Sequence, residues 1–245
     1  MYYVELLRAR RALVIASAWT GVALVVNILL YRLGGVQVGF HLSIPLTVVW
    51  VFASVVASIF ATVLGASLAA ENDGHLAVAW TKPVSKTAHA LTKLAIDVAA
   101  IAALYCIACA AVFIYFFAAH DLWRFITVPT DTWQQLVRFL LAPIAIYGLM
   151  QAVTSTLVRQ TSAALAFTWI GLFALGTLGG SPLPPPYHDA IALINFANPL
   201  VYMKFEIENS GAVITYGLSA ATTALALIAA GGMAAAIYRW QRVEV

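Results

Sequence analysis

Residues 68–97, LAAENDGHLAVAWTKPVSKTAHALTKLAID, form a polar island between two long apolar runs. If the flanking runs are a soluble core, the island is an ordinary surface loop. If they cross a membrane, it is a loop on one membrane face and sets the topology of everything around it. Composition decides between the two. Of 245 residues, 63% are hydrophobic and only 9% are charged, against roughly 25% charged in soluble domains. No soluble fold of this length hides that much apolar surface, so the solvent is lipid and the fold class is an all-α integral membrane protein.

A spanning helix needs about 20 apolar residues. Working outward from the island, six runs qualify: 11–31, 44–70, 94–119, 139–158, 161–180 and 212–238. Together they make one transmembrane unit over residues 1–245. The first run follows arginines, as a secretion signal does. It is longer than a signal's apolar region and no small-residue cleavage site follows it, so it reads as a retained anchor.

Six spans put both termini on the side that holds the 71–93 loop. That side carries Arg8, Arg10, Arg11, Lys82, Lys86, Lys93, Arg159, Arg239 and Arg242; the other carries Arg32, Arg124, Arg138 and Lys204. The positive-inside rule then predicts cytoplasmic termini and a cytoplasmic polar loop. Trp80, Trp123, Trp133 and Trp240 fall near the predicted interfaces, as an aromatic belt would. The opening YYVELLRARR is either a short amphipathic helix along the cytoplasmic surface, with Leu6 and Leu7 in lipid, or a charged flank that fixes topology.

Inside the island, Asn72 or Asp73 can cap a helix start, and Gly74 tolerates a sharp change of direction. Leu76, Ala77 and Trp80 then share a face. Pro83 stops this helix, which at roughly ten residues is about 15 Å long. Ser85 can cap the next helix, which runs through Lys86, His89 and Lys93 into the third span. Glu71 and Asp73 sit where a helix dipole favours anions. On these grounds alone, a crosswise helix and a solvated hairpin loop are both open.

The island resembles the cytoplasmic loop between spans two and three of type-2 ABC exporter permease subunits. The residues that carry the likeness are Glu71, Gly74, Leu76, Pro83, Val84, Ser85 and Lys93, with His75 where Thr is frequent and Lys86 where Arg is usual. INFANPLVYM resembles that family's Asn-Pro element in the last external loop, at Asn198 and Pro199, and YRWQRVEV its short basic tail. The resemblance implies a permease half-transporter of a prokaryotic inner membrane. It would pair with a second permease subunit, identical or paralogous, and export a substrate the sequence does not identify. A separate cytoplasmic ABC ATPase subunit would bind ATP and Mg and seat the loop helix in a groove. On that reading the motor contact is Glu71, Asn72, Asp73, Gly74, His75, Leu76 and Trp80, while Pro83, Val84 and Ser85 set the angle of the loop. Asn198 and Pro199 are external gate candidates.

The chain has no G-x-x-x-x-G-K-[ST] stretch to cradle phosphates. No catalytic residue, cofactor or metal is assigned to it. There is no basic stripe with interleaved aromatics, so nucleic acid is not an expected partner; membrane lipid is. A membrane enzyme acting on lipid-linked substrates would need clustered acids or histidines, and these are dispersed. A non-transporting scaffold or assembly factor is the remaining alternative.

Asp97 is ionisable within a span, which marks a functional candidate, although a Lys93–Asp97 pair one turn apart would be structural. Cys106 and Cys109 read as small packing residues, because a metal needs about four ligands. Asn27, Gln151, Thr154, Ser155 and Asn195 suit interhelix hydrogen bonds. Two His-Asp pairs, 120–121 and 188–189, suggest a metal site only weakly. Gly176 and Gly180 have the Gly-x-x-x-Gly spacing that lets helices approach, for a dimer or an internal contact. In 181–211 a proline run breaks helix, and HDAIALINFA then recovers a short one, as an external gate or a packed cap.

Overall fold

The computed structural model describes residues 2–33, 44–66, 68, 85–118, 126–128, 132–157, 160–179, 184–203, 206–208, 211–213 and 218–242. The described chain is helical throughout apart from minimal strand pairs. Among the described residues seven α-helices follow in order: α1 Tyr2–Leu33, α2 Thr47–Leu64, α3 Lys86–Ala118, α4 Thr132–Thr156, α5 Thr161–Leu178, α6 Pro185–Asn195 and α7 Leu218–Arg242. All but α6 are long and apolar enough to cross a membrane. The protein is therefore a multi-pass, all-α membrane protein. Strands β1 (Ile44–Pro45) and β2 (Ile126–Thr127) pair in parallel; β3 (Glu206–Glu208) and β4 (Gly211–Val213) pair antiparallel.

The helices alternate in direction. One end of the bundle gathers the start of α1, the ends of α2, α4 and α7 and the start of α3; Gln241 on α7 donates to Thr87 on α3 there, 2.9 Å apart. Both termini of the helical bundle thus lie at one end, as the count of six spans requires. At the opposite end Thr47 Oγ1, opening α2, donates to Gln135 Oε1, opening α4. The core runs along α2, α3, α4 and α7, through Ala53, Ala57, Ile101, Leu104, Ala145 and Leu225. By contrast α1 and α5 lie at the margin, with Val14, Ile15, Trp19, Phe167, Ile170 and Phe173 on the outer surface.

Span boundaries differ from the sequence reading in an informative way. The third span is the apolar part of a helix that starts at Lys86, capped by Ser85 as its sequence suggests: Ala88 N–H donates to Ser85 Oγ at 3.2 Å. The fourth starts at Thr132, since the polar Gln135 and Arg138 are buried inside the bundle. The second is shorter than 44–70, and the sixth runs from Leu218 to Arg242. The N-terminal segment is not a separate surface helix. It continues into the first span as one helix of 32 residues, with no proline or glycine before Gly21 to break it. Glu5 and Ala9 point into the bundle instead of lying between lipid and water. The proline run does not simply stop a helix: Pro185 and Pro186 occupy the first turn of α6, where a missing N–H is harmless. Trp133 lies on the surface as an interface residue would, but Trp240 is buried, 6.2 Å from His89.

The tightest interface is α4 on α7. A Cβ added at Gly232 would stand 2.4 Å from the carbonyl of Gly148, and one at Gly148 would stand 2.7 Å from the Ala229 carbonyl oxygen. In lipid no hydrophobic force drives helices together, so close backbone approach through small residues carries the packing. Gly65, ending α2, meets Met150 of α4 in the same manner. Gly231 has open space around it, which gives a matched control. Gly232→Ala is expected to destabilise the detergent-solubilised protein by about 1–3 kcal/mol, the usual cost of overpacking. Gly231→Ala is expected to be neutral or slightly stabilising through helix propensity. Thermal unfolding followed by circular dichroism separates the two.

Candidate functional site

The strongest chemistry among the described residues is a buried ionic network where four helices meet. Helix α3 carries Asp97 at 0% exposure and Lys93, one turn earlier, at 1%. Helix α1 contributes Arg8, whose Nη2 donates to Asp97 Oδ1 at 2.6 Å and whose Nε donates to Glu5 Oε2 at 2.9 Å. Helix α4 contributes Tyr147, whose hydroxyl donates to Asp97 Oδ2 at 2.8 Å. Gln151, one turn further along α4, donates from Nε2 to the Tyr147 oxygen at 3.0 Å and to the Leu64 carbonyl, ending α2, at 3.1 Å. Thr154 extends the chain with a 2.8 Å bond to the Gly65 carbonyl.

Arg8 faces two carboxylates, Glu5 and Asp97, and Lys93 lies buried one turn from Asp97 on α3. An isolated ion buried in low dielectric is expensive, and removing one member of a buried pair typically costs about 3–5 kcal/mol. The network therefore fixes the relative positions of α1, α2, α3 and α4 at the bundle end that precedes and follows residues 71–84.

Asp97 reaches beyond its own helix, to Arg8 and Tyr147 on two other helices. Arg8 is thus more than a topology signal, and Tyr147 joins it at the same carboxylate. The available signal was that a carboxylate inside a span needs partners, with Glu5 and Arg8 three apart on one helix face. Gln151, Thr154 and Asn195 make the interhelix bonds expected of them, while Ser155 bonds within its own helix to Ala152. The side chain of Asn27 lies outside the described residues. So do Glu71, Asn72, Asp73, Gly74, His75, Leu76, Trp80, Pro83 and Val84; of that set only Ser85 is described, as the cap of α3.

At the other end, Asn198 is 1% exposed and acts as a clasp. Its Nδ2 donates to the Leu172 carbonyl of α5 at 2.9 Å and to Asn195 Oδ1 at 3.1 Å, and its Oδ1 accepts from Leu200 N–H. Asn195 Nδ2 donates to the Leu175 carbonyl at 2.9 Å. Pro199 follows in the turn that leads to Val201–Met203. Buried Arg138 donates from Nε to the Tyr202 carbonyl and ties the same loop to α4. Gly176 and Gly179 face these amides; a Cβ at Gly179 would meet Asn195 Nδ2 at 2.4 Å. The glycines at this end of α5 thus make room for an internal clasp.

Cys106 and Cys109 are free thiols; Cys106 is on the outer surface and Cys109 packs against the core. Among the described residues no group of three His, Cys, Asp or Glu is placed to hold a metal. His188 and Asp189 lie 3.5 Å apart on the exposed side of α6, while 120 and 121 are not among the described residues. No family model matches the chain, and no curated protein or solved structure matches it either.

Asn198→Ala removes two donated bonds and one accepted bond, leaving the Leu172 carbonyl buried without that donor. The expected loss is about 1–3 kcal/mol, confined to the α5–α6 corner. Hydrogen exchange should accelerate across residues 184–203 and stay unchanged in α2 and α3.

Proposed function

We propose that this chain is the membrane permease subunit of an ATP-driven type-2 ABC exporter. It sits in the cytoplasmic membrane of a prokaryote with both termini and the 71–84 loop in the cytoplasm. It works as a dimer with a second permease subunit, beside a separate ATPase subunit that binds ATP and Mg. The resemblance at Glu71, Gly74, Leu76, Pro83, Val84, Ser85 and Lys93 suggests the family, and the excess of Lys and Arg on the loop side supports the orientation.

The observation that carries the reading is the form of α3. The polar loop leads, through the Ser85 cap, directly into an unbroken helix of 33 residues. Three turns in, that helix places Asp97 among α1, α2 and α4. A push on the loop would therefore reach the packing of four helices through a rigid element. A solvated connecting loop needs no such lever. In this reading Glu71, Asn72, Asp73, Gly74, His75, Leu76 and Trp80 meet the ATPase, and the Asn198–Pro199 turn closes the external end.

Purification from the native membrane in mild detergent should bring down a P-loop ATPase in near-stoichiometric amount, identified by mass spectrometry. Gly74→Pro or Glu71→Ala should uncouple ATP hydrolysis from transport, or release the ATPase, while leaving the thermal stability of the permease unchanged. A preparation free of ATPase even after crosslinking overturns the reading.

A further inference from the structure

The ion pair between α1 and α3 is built so that it can part. Among the described residues, Arg8–Asp97 is the polar link from α1 to another helix. The rest of the α1 contact is made by small or modest apolar side chains, Ala9, Ala12, Leu13 and Ala16. Most of α1 beyond them faces outward. In a bilayer such a surface can exchange helix contact for lipid contact at little free-energy cost. The charges set the barrier.

Each half of the pair keeps a partner on its own side. Arg8 holds Glu5 at 2.9 Å on α1 itself. Asp97 holds the Tyr147 hydroxyl at 2.8 Å, which belongs to α4, and Lys93 is one turn away on α3. If α1 moves off, Glu5 and Arg8 leave as a neutral unit, and Asp97 keeps the Tyr147 hydroxyl, with the Lys93 charge one turn away on its own helix. Parting therefore does not strip Asp97 of every partner, the event that makes breaking most buried pairs prohibitive. Arg8 also has the most exposed side chain of the pair, 34% against 0% for Asp97, so it is the member that leaves.

We propose that Arg8–Asp97 is a latch that holds α1 against a core of α2, α3, α4 and α7, and that α1 has a second, detached position. The two states differ by the Arg8–Asp97 contact, while the Tyr147 hydroxyl, on the other oxygen of Asp97, is the partner Asp97 keeps when Arg8 leaves. That division of the carboxylate gives the latch a signature that a purely structural ion pair lacks. Removing Arg8's hydrogen-bonding charge favours detachment, whereas removing the Tyr147 hydroxyl leaves Asp97 more dependent on Arg8 and favours attachment.

The test reads the position of α1 alone and does not depend on any ATPase. In a background with Cys106→Ala and Cys109→Ala, spin labels at Trp19→Cys on α1 and Val55→Cys on α2 report their separation in lipid nanodiscs by pulsed electron resonance. Both positions are on the outer surface. Arg8→Gln should raise the ratio of long to short distances by roughly fivefold, the low end of usual coupling energies, and Tyr147→Phe should lower it. If Arg8→Gln does not fold, Arg8→Lys, which keeps the charge but loses the planar fork that reaches Glu5 and Asp97 from two nitrogens, should shift the ratio the same way by less. A single distance unaffected by these variants, or shifts of Arg8 and Tyr147 variants in one direction, overturns the latch.

Discussion

A carboxylate without access to solvent has to be neutralised where it sits, and in this bundle that carboxylate is Asp97. Its two oxygens take a guanidinium from α1 and a phenol from α4, and the phenol is held by an amide that also grips the end of α2. Lipid supplies no competing hydrogen bonds, so an unmet donor or acceptor at this depth costs several kcal/mol. Helix positions at this end are therefore set by polar atoms that have few other places to go. Apolar packing alone would tolerate a helix sliding by a residue; the Arg8–Asp97–Tyr147–Gln151 chain does not.

The other constraint is steric. Helices α4 and α7 approach until Gly148 and Gly232 leave no room for a side chain, and Gly65 lets the end of α2 onto Met150. The glycines bring α2, α4 and α7 together, and the network adds α1 and α3 to that unit. At the far end, neutral amides replace charges: Asn195 and Asn198 bind carbonyls of α5 and hold α6 in place. The two ends are thus fastened by different chemistry. Charges can be exchanged between partners at one end, while the amide clasp at the other is satisfied only in one arrangement.

The membrane class and the six spans were legible because apolar run length is a direct consequence of bilayer thickness. The helix boundaries were less so. The helix through Lys86, His89 and Lys93 was legible from the Ser85 cap, but that its first turns pack against the end of α7, through Gln241 and Trp240, was not. Arg8 and Glu5 read as surface charges because local sequence cannot show that a distant Asp97 awaits them, 89 residues along the chain. Tyr147 gave no signal at all, since a tyrosine in a span is as apolar as it is polar. Gly176 had the spacing of an association motif, and only its neighbours Asn195 and Asn198 reveal which association it serves. Of the island residues that carry the resemblance, Ser85 caps α3 and Lys93 is buried within it.

These positions bear on how any signal at the island would travel. Helix α3 is about 50 Å long at 1.5 Å per residue, and its Asp97 lies near the loop end. A displacement entering at Ser85 meets the ion pair within three turns, before it meets most of the apolar core. A rigid helix anchored by charge near the point where force enters turns a small sideways push into a change of partner, because the hydrogen bonds of an ion pair hold only within about 3.2 Å while apolar contacts slide. The alanine-lined face of α1, the self-paired Glu5 and Arg8, and the Tyr147 hydroxyl bonded to the other oxygen of Asp97 are the features such a mechanism requires. A bundle built only for stability would place a well-packed apolar side chain at position 97, which would hold these helices together at lower electrostatic cost.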